Sequence, residues 1–345
     1  MNTINIKPIL ILFFLFSIVS CKDSNDNIAE PEKSEITVVD YYGQLSINGT
    51  LLVDKNNNPV ALRGMSLFWS QWGGKYYNKE CIKWLRNDWK CTIVRASMGI
   101  EAGGYLTNAE TEFNKITEVI EACIDLGIYV IVDWHDHNAQ NHLAEAKDFF
   151  SKISNLYGNE PNIIYEIFNE PLNVSWSNVI KPYAEEIITT IRENDKKNII
   201  VVGTPAWSQD VDAAAKDPLA GDNIAYSLHF YTGTHNQSLR NKAITAINKG
   251  LALFVTEFGI SEADGNGKID MNETNLWSSF LEQYNLSWCN WSIMDKDETS
   301  AALNSGSSAT GNWAENELKE SGKILRDYIR TQNNDIFDIL DEMNN

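Results

Sequence analysis

Two glutamates sit where a carboxylate is expensive. Glu170 closes the apolar run 163–168, and Glu257 closes the apolar run 253–256. A charge at the end of a buried strand costs free energy unless it is paired or put to use. Two carboxyls facing each other across a glycosidic bond are the machinery of sugar hydrolysis. A spacing of about 5–5.5 Å gives retention of configuration, and about 6.5–9.5 Å gives inversion. Other apolar runs also end in polar or aromatic residues: Val94-Arg95-Ala96, Asp133-Trp134-His135, Asn169 just before Glu170, His229-Phe230-Tyr231, and Asn290-Trp291. A purely structural role would scatter such groups rather than collect them at strand ends.

The same residues admit two other chemistries. Asp133-x-His135-x-His137 spaces imidazoles two apart, and Glu170 with His229 could complete a zinc site. A non-catalytic glucan-binding protein would keep the aromatics but has no need of both glutamates, which are present. The segment 264–270 resembles a calcium loop but puts Lys268 where a ligand is required and has no Glu at the twelfth place. A glycine-rich turn accounts for it, and no metal or other cofactor is expected.

These groups need a scaffold that brings strand ends to one rim. Eight short apolar runs recur at 60–65, 92–96, 129–133, 163–168, 199–202, 224–230, 253–256 and 287–292. Amphipathic stretches lie between or after them at 112–126, 180–192, 238–249, 275–284 and 321–330. Continuous apolar strands alternating with helices predict parallel strands buried on both faces. Eight such units predict an α/β fold, a closed (β/α)8 TIM barrel, whose chemistry belongs at the C-terminal strand ends. A doubly wound open sheet is the second choice, but no glycine-rich phosphate loop follows the first strand. A short β-hairpin over 43–53, closed by the turn 54–59, precedes the barrel.

The chain has 345 residues, with a formal net charge of −19 and a pI near 4.6. Such a charge repels phosphate backbones and anionic surfaces, so nucleic acid is excluded as a partner. A neutral polysaccharide meets no such penalty. Eleven tryptophans exceed what packing alone requires, and exposed aromatic faces can stack on sugar rings. Residues 1–20 read as an export leader: one Lys, an apolar run from 9 to 20 too short to span a bilayer, then Cys21 in Ile18-Val19-Ser20-Cys21. That ending resembles a bacterial lipobox, which implies lipidation of Cys21 and anchoring to a membrane at the periplasmic face or cell surface. Residues 21–39 read as a flexible tether, 40–332 as the catalytic domain and 333–345 as a tail. Cys81, Cys91, Cys123 and Cys289 lie among apolar residues and read as small buried thiols. A monomer is expected.

The motifs resemble glycoside hydrolase family 5, in its bacterial endo-β-1,4-glucanase branch. They are Lys-Trp-Leu-Arg at 83–86, Ile-Tyr-Glu-Ile-Phe-Asn-Glu-Pro at 164–171, Ile-Lys-Pro-Tyr-Ala-Glu-Glu at 180–186, Trp-Ser-Gln-Asp-Val at 207–211, His-Phe-Tyr at 229–231, Thr-Glu-Phe-Gly at 256–259 and Trp-Ser-Ile-Met-Asp-Lys-Asp-Glu at 291–298. The resemblance covers residues 43–330. It implies a retaining hydrolase of cellulose or a related β-glucan, with Glu170 as acid/base and Glu257 as nucleophile. Arg95 and Tyr231 then hydrogen-bond the nucleophile and keep it ionised, and Asn169 binds the sugar 2-hydroxyl. His135 and His229 are cleft histidines, and Trp291, Lys296 and Glu298 bind sugar on the non-reducing side. Trp207 stacks on the leaving-group side and Trp72 is a distal platform. An arginine beside Glu257 is expected to depress its pKa. Many relatives carry Trp where this chain has Phe258, and some carry His in the loop that reads Ser66-Leu67-Phe68.

Overall fold

The computed structural model describes residues 35–345. The leader, Cys21 and most of the expected tether lie outside the described residues.

Eight parallel strands close into the expected barrel. They are β1 (Arg63–Leu67), β2 (Ile93–Gly99), β3 (Tyr129–His135), β4 (Ile163–Glu166), β5 (Ile199–Val202), β6 (Ile224–Ser227), β7 (Leu253–Gly259) and β8 (Trp288–Ile293). Each pairs with its sequence neighbour, and β8 pairs with both β7 and β1, so the sheet has no free edge. A two-residue strand, Phe230–Tyr231, continues the β6 path and pairs with the end of β7. Strands β2 to β8 are buried along their whole length, as continuous Val/Ile-rich runs require when helices cover the outer face.

The outer layer holds α1 (Lys79–Asn87), α2 (Tyr105–Leu126), α3 (Leu143–Tyr157), α4 (Lys181–Asn194), the short α5 (Val211–Ala214), α6 (Gln237–Asn248), α7 (Met271–Gln283) and α8 (Glu320–Asn344). The sequence reading did not identify α1 or α3. In α3 the core-facing side runs from Leu143 through Ala146, Phe149, Phe150 and Ile153 to Tyr157.

The barrel floor is plugged from the N-terminal side. The expected hairpin forms, pairing Ser46–Asn48 with Leu51–Val53. Gln44 Nε2 donates to Asn198 Oδ1 at 2.8 Å and the Ile47 N–H to Asn223 Oδ1 at 2.9 Å, fixing it beneath β5 and β6. A five-residue helix, Val38–Tyr42, precedes it under a Thr37/Asp40 capping box. Val38 and Val39 are buried, so the fold begins before residue 40, where the tether was expected to end.

Residues 333–344, expected as a tail, are the second half of α8. Ile336, Phe337 and Leu340 fall on one helical face and are buried. Asn333 donates to the carbonyls of Arg63 and Lys90 at 3.1 and 2.8 Å, and the Ile36 N–H donates to Asn344 Oδ1 at 2.7 Å. The polar run Gln332-Asn333-Asn334-Asp335 hides this continuation, because one of its amides points inward to satisfy backbone carbonyls. The four cysteines among the described residues are free and buried, and burial pushes each thiol well above its ordinary pKa. Phe337→Ala is expected to destabilise the fold by about 3–5 kcal/mol. Calorimetry checks this, and an unchanged thermal midpoint would mean that the end of α8 is dispensable.

Candidate active site

The upper layer of the barrel is polar, and it is organised by Arg95 from the middle of β2. This side chain is fully buried. Its Nε donates to Glu166 Oε2 at 2.7 Å and its Nη1 to Glu257 Oε2 at 2.8 Å. Its Nη2 donates to Asn169 Oδ1 at 2.7 Å and lies 2.9 Å from Asp133 Oδ2. One guanidinium therefore binds residues from β3, β4, β7 and the loop after β4. Its rigid fork of donors suits such a junction.

Glu257, on β7, is held at both oxygens. Tyr231 Oη donates to its Oε1 at 2.7 Å while Arg95 holds Oε2. The Tyr231 ring needs Gly259, where a Cβ would stand 2.3 Å from Tyr231 Cδ1. Burial and the adjacent Glu170 carboxylate push the Glu257 pKa up, against His229, Arg95 and Tyr231, which pull it down. This corrects the expectation of a depressed value. Arg95 does pull it down, but burial and the neighbouring Glu170 charge outweigh that pull. Burial also raises Asp133 well above the usual range, although Arg95 opposes it; Asp133 Oδ1 has no hydrogen-bond partner. Burial opposes ionisation of Glu166 too, but Arg95 and His229 outweigh it and bring its pKa down to about 2.

Glu170 lies in the loop after β4, where its N–H donates to the Asp136 carbonyl at 3.3 Å. His229 Nδ1 is 3.0 Å from Glu170 Oε1, and its Nε2 is 2.8 Å from Thr256 Oγ1. One ligand-type atom each from Glu170, His229 and Glu257 lie within 4.8 Å of one another. Burial disfavours the His229 cation, yet its bonds to Glu166 and Glu170 raise the pKa to about 9. His135 differs. Burial and the Arg95 charge hold its pKa well down, so the ring is neutral. Its Nδ1 lies 2.6 Å from Asp133 Oδ2, which assigns the proton to Nδ1 and leaves Nε2 as an acceptor. The ring stacks on Trp291 at 5.1 Å and 3° and meets the edge of Trp69 at 4.1 Å.

Two hollows flank the glutamates and share Glu170, Tyr231 and Ala263. One, of about 250 Å³, is walled by Phe68, Trp69, Trp72, Trp291, Lys296 and Glu298. Lys296 pairs with Glu298 and sits 5.4 Å over the Phe68 ring. The other, of about 220 Å³, holds Trp207, Gln209, His229 and His235. A wider polar hollow of about 890 Å³ beyond Glu298 contains neither catalytic-pair carboxylate. Trp72 is 55% and Trp207 46% exposed, as platforms for a flat ligand must be. Trp207 is presented by three consecutive left-handed residues, Ala206, Trp207 and Ser208, with φ of 56°, 58° and 57°. That backbone is strained for residues with a Cβ. It is tied to the loop after β4: the Trp207 N–H donates to the Pro171 carbonyl at 2.8 Å, and Ser208 Oγ to the Asn169 carbonyl at 2.7 Å.

Of the site residues expected from sequence within the described chain, all but Arg95 and Asn169 line the two hollows beside the glutamates, and those two lie buried beside Glu257. The alternative zinc set does not assemble among the described residues: Glu170 and His229 come together with Glu257, while His135 and His137 stay outside that group. A cation there would also face the Arg95 charge. Sequence reasoning assigned nothing to Glu166, Ser227 or Thr256, which form the layer below, or to Trp69, Gln209 and His235. For Glu166 there was a signal: a charged residue inside the apolar run Ile-Ile-Tyr-Glu-Ile-Phe.

His229 makes the site pH-sensitive. Its proton contributes stability that is full below about pH 6.5 and is lost as pH rises through about 9, a loss of roughly 3 kcal/mol. Urea midpoints of the chain and of His229→Gln between pH 6 and 9.5 check this. Equal slopes would show that the ring does not carry the effect.

Comparison with known proteins agrees with this geometry. The sequence profile of cellulase (glycosyl hydrolase family 5) matches residues 53–297. Endoglucanase A of Evansella cellulosilytica is 49% identical over 278 residues, which are 79% of this chain and 57% of that protein. The chain thus spans little more than half the length of that relative. A solved structure from Cytophaga hutchinsonii is 54% identical, with a TM-score of 0.87, over 88% of this chain and 99% of that one. The catalytic domain of a Thermobifida fusca endoglucanase is 34% identical, with a TM-score of 0.82, over 85% and 99% respectively.

Proposed function

The chain belongs to the cellulase family, glycosyl hydrolase family 5, and we propose that it hydrolyses internal β-1,4-glucosidic bonds of cellulose or a related β-glucan with retention of configuration. One observation carries this reading: Glu170 and Glu257 approach within 4.8 Å between two open hollows, one of them walled by aromatics. That approach suits the short spacing of retaining enzymes and leaves no room for the water an inverting enzyme places between its carboxyls. Open hollows on both sides suit a chain that runs past the pair, which favours endo action.

The roles follow from the contacts. Glu257, its carboxylate oriented by Arg95 at Oε2 and Tyr231 at Oε1, attacks the anomeric carbon. Glu170 gives its proton to the departing oxygen. Glu170 is thereby left as a carboxylate, beside a Glu257 whose charge the new glycosyl bond has removed, and it draws the proton from an incoming water. Water attacks the anomeric carbon, the ester bond breaks, and both carboxyls return to their starting states. Asn169 has its Oδ1 committed to Arg95, which leaves its Nδ2 to donate to the sugar 2-hydroxyl. Trp291 and Trp72 offer ring faces on the non-reducing side, with Lys296 and Glu298 at the sugar hydroxyls, and Trp207 takes the leaving side. His135 offers a neutral Nε2 acceptor to the cleft. The residues need no cofactor for this reaction.

We also propose that residues 1–20 direct export and that Cys21 carries the lipid anchoring a monomeric catalytic domain to the membrane, at the periplasmic face or cell surface. The support is the apolar run ending in Val-Ser-Cys. No helix among the described residues is long and apolar enough to cross a membrane. Labelling with a radioactive fatty acid, lost in Cys21→Ser, tests this.

Glu257→Gln is expected to abolish turnover of carboxymethylcellulose, barley β-glucan and mannan alike, and full activity would defeat the assignment. Glu170→Ala should lose about 10²–10⁴-fold in rate. Azide should restore much of it on a substrate with a good leaving group, since azide attacks the glycosyl-enzyme without a base. Lack of rescue would remove Glu170 from the acid/base role.

A further inference from the structure

Glu166 has no part in the bond-making steps, yet it touches the supports of both catalytic glutamates. It ends β4 four residues before Glu170 and is wholly buried. Its Oε2 accepts from Arg95 Nε at 2.7 Å, and Arg95 in turn holds Glu257. Its Oε1 accepts from Thr256 Oγ1 at 2.5 Å and from Ser227 Oγ at 2.9 Å. Thr256 Oγ1 also lies 2.8 Å from His229 Nε2, and His229 Nδ1 lies 3.0 Å from Glu170 Oε1.

Counting protons along this chain fixes each direction. A hydroxyl has one hydrogen to give. Thr256 gives it to the Glu166 carboxylate, which can only accept. Towards His229, Thr256 is therefore an acceptor, and the hydrogen between them must sit on Nε2. His229 can then gain or lose a proton only at Nδ1, the nitrogen that faces Glu170. We infer that Glu166 is a positioning residue for both half-reactions: through Arg95 it aims Glu257, and through Thr256 it keeps the His229 hydrogen on Nε2, so that Nδ1 and Glu170 share a single exchangeable proton. This rests on the acid/base and nucleophile roles proposed above.

The charges around the ring agree with this reading. His229 faces Glu170, Glu166 and Glu257, with Asp133, His135 and Arg95 next beyond them. Glu166 is the member of that set held most firmly as an anion, with its pKa down at about 2, and the imidazolium beside it persists to about pH 9. Asp133 does not replace it. Its free oxygen has no donor, and burial drives it toward the neutral acid.

The test uses the full chain and the His229 ring itself, assigned by the signal that His229→Gln removes. In the unsubstituted protein, ¹⁵N–¹H spectra should show Nε2 protonated throughout and Nδ1 titrating near pH 9. Glu166→Gln should move that midpoint down toward the ordinary histidine value. It should also lower kcat on a soluble cello-oligosaccharide by about tenfold to a hundredfold, while KM stays within about threefold. Thr256→Val leaves the Glu166 charge and the Arg95 contact intact but breaks the hydroxyl bridge; it should release the Nε2 preference and lower the midpoint. Should Glu166→Gln fail to fold, the unsubstituted titration and Thr256→Val still decide. A neutral ring protonated on Nδ1, or a midpoint indifferent to both substitutions, overturns the inference. An unsubstituted chain inactive on every β-glucan would instead overturn the proposed activity, and the ring's protonation would stand or fall separately.

Discussion

The site depends on one buried guanidinium. Arg95 is surrounded by Asp133, Glu166 and Glu257, all of them buried. A buried ion network of this kind is a poor source of net stability, since desolvation consumes most of the Coulombic gain. Its value here lies in position. Removing the cation would leave several carboxylates facing one another in a low dielectric, so the strands that carry them can close only around it. Glu257 is thereby oriented before any substrate arrives, which is the condition for electrostatic preorganisation.

That constraint explains the division of the barrel. The lower layers are Val, Ile and Leu, and the floor is sealed by the hairpin and by the end of α8. The upper layer is polar: Arg95 from β2, Glu166 from β4 and Ser227 from β6 are contributed by alternate strands, the pattern in which barrel interiors are filled. Hydroxyls from Ser227 and Thr256 satisfy Glu166 Oε1. The result is a rigid polar floor on which the glutamates stand, with aromatic walls supplied by loops.

Much of this was legible in the chain. The eight apolar runs located the eight strands, because they are short, rich in β-branched residues and separated by longer amphipathic stretches. The residues at strand ends pointed to Glu170 and Glu257, which the fold brings together. The errors have physical causes too. The end of α8 was taken for a tail because Asn333 is polar, yet it is buried to cap carbonyls of β1 and the loop before β2. The Glu257 titration departs from expectation because the arginine beside it is only one influence, and burial and the Glu170 carboxylate outweigh it. Glu166 escaped notice because its role lies in what it holds, and spacing along a chain does not display second neighbours.

The left-handed turn under Trp207 bears on how this cleft could change over generations. Three adjacent residues with side chains occupy a conformation that glycine alone adopts freely. A lineage could relieve that strain at Ala206 or Ser208 by a single codon change to glycine, gaining ease of folding while losing the fixed tilt of the indole. The range of aglycones accepted would then widen or blur without any alteration to a sugar-touching side chain. Diversification on that half of the groove is thus expected to proceed through backbone freedom, while the opposite half, whose platforms rest on stacked rings, must change ring by ring.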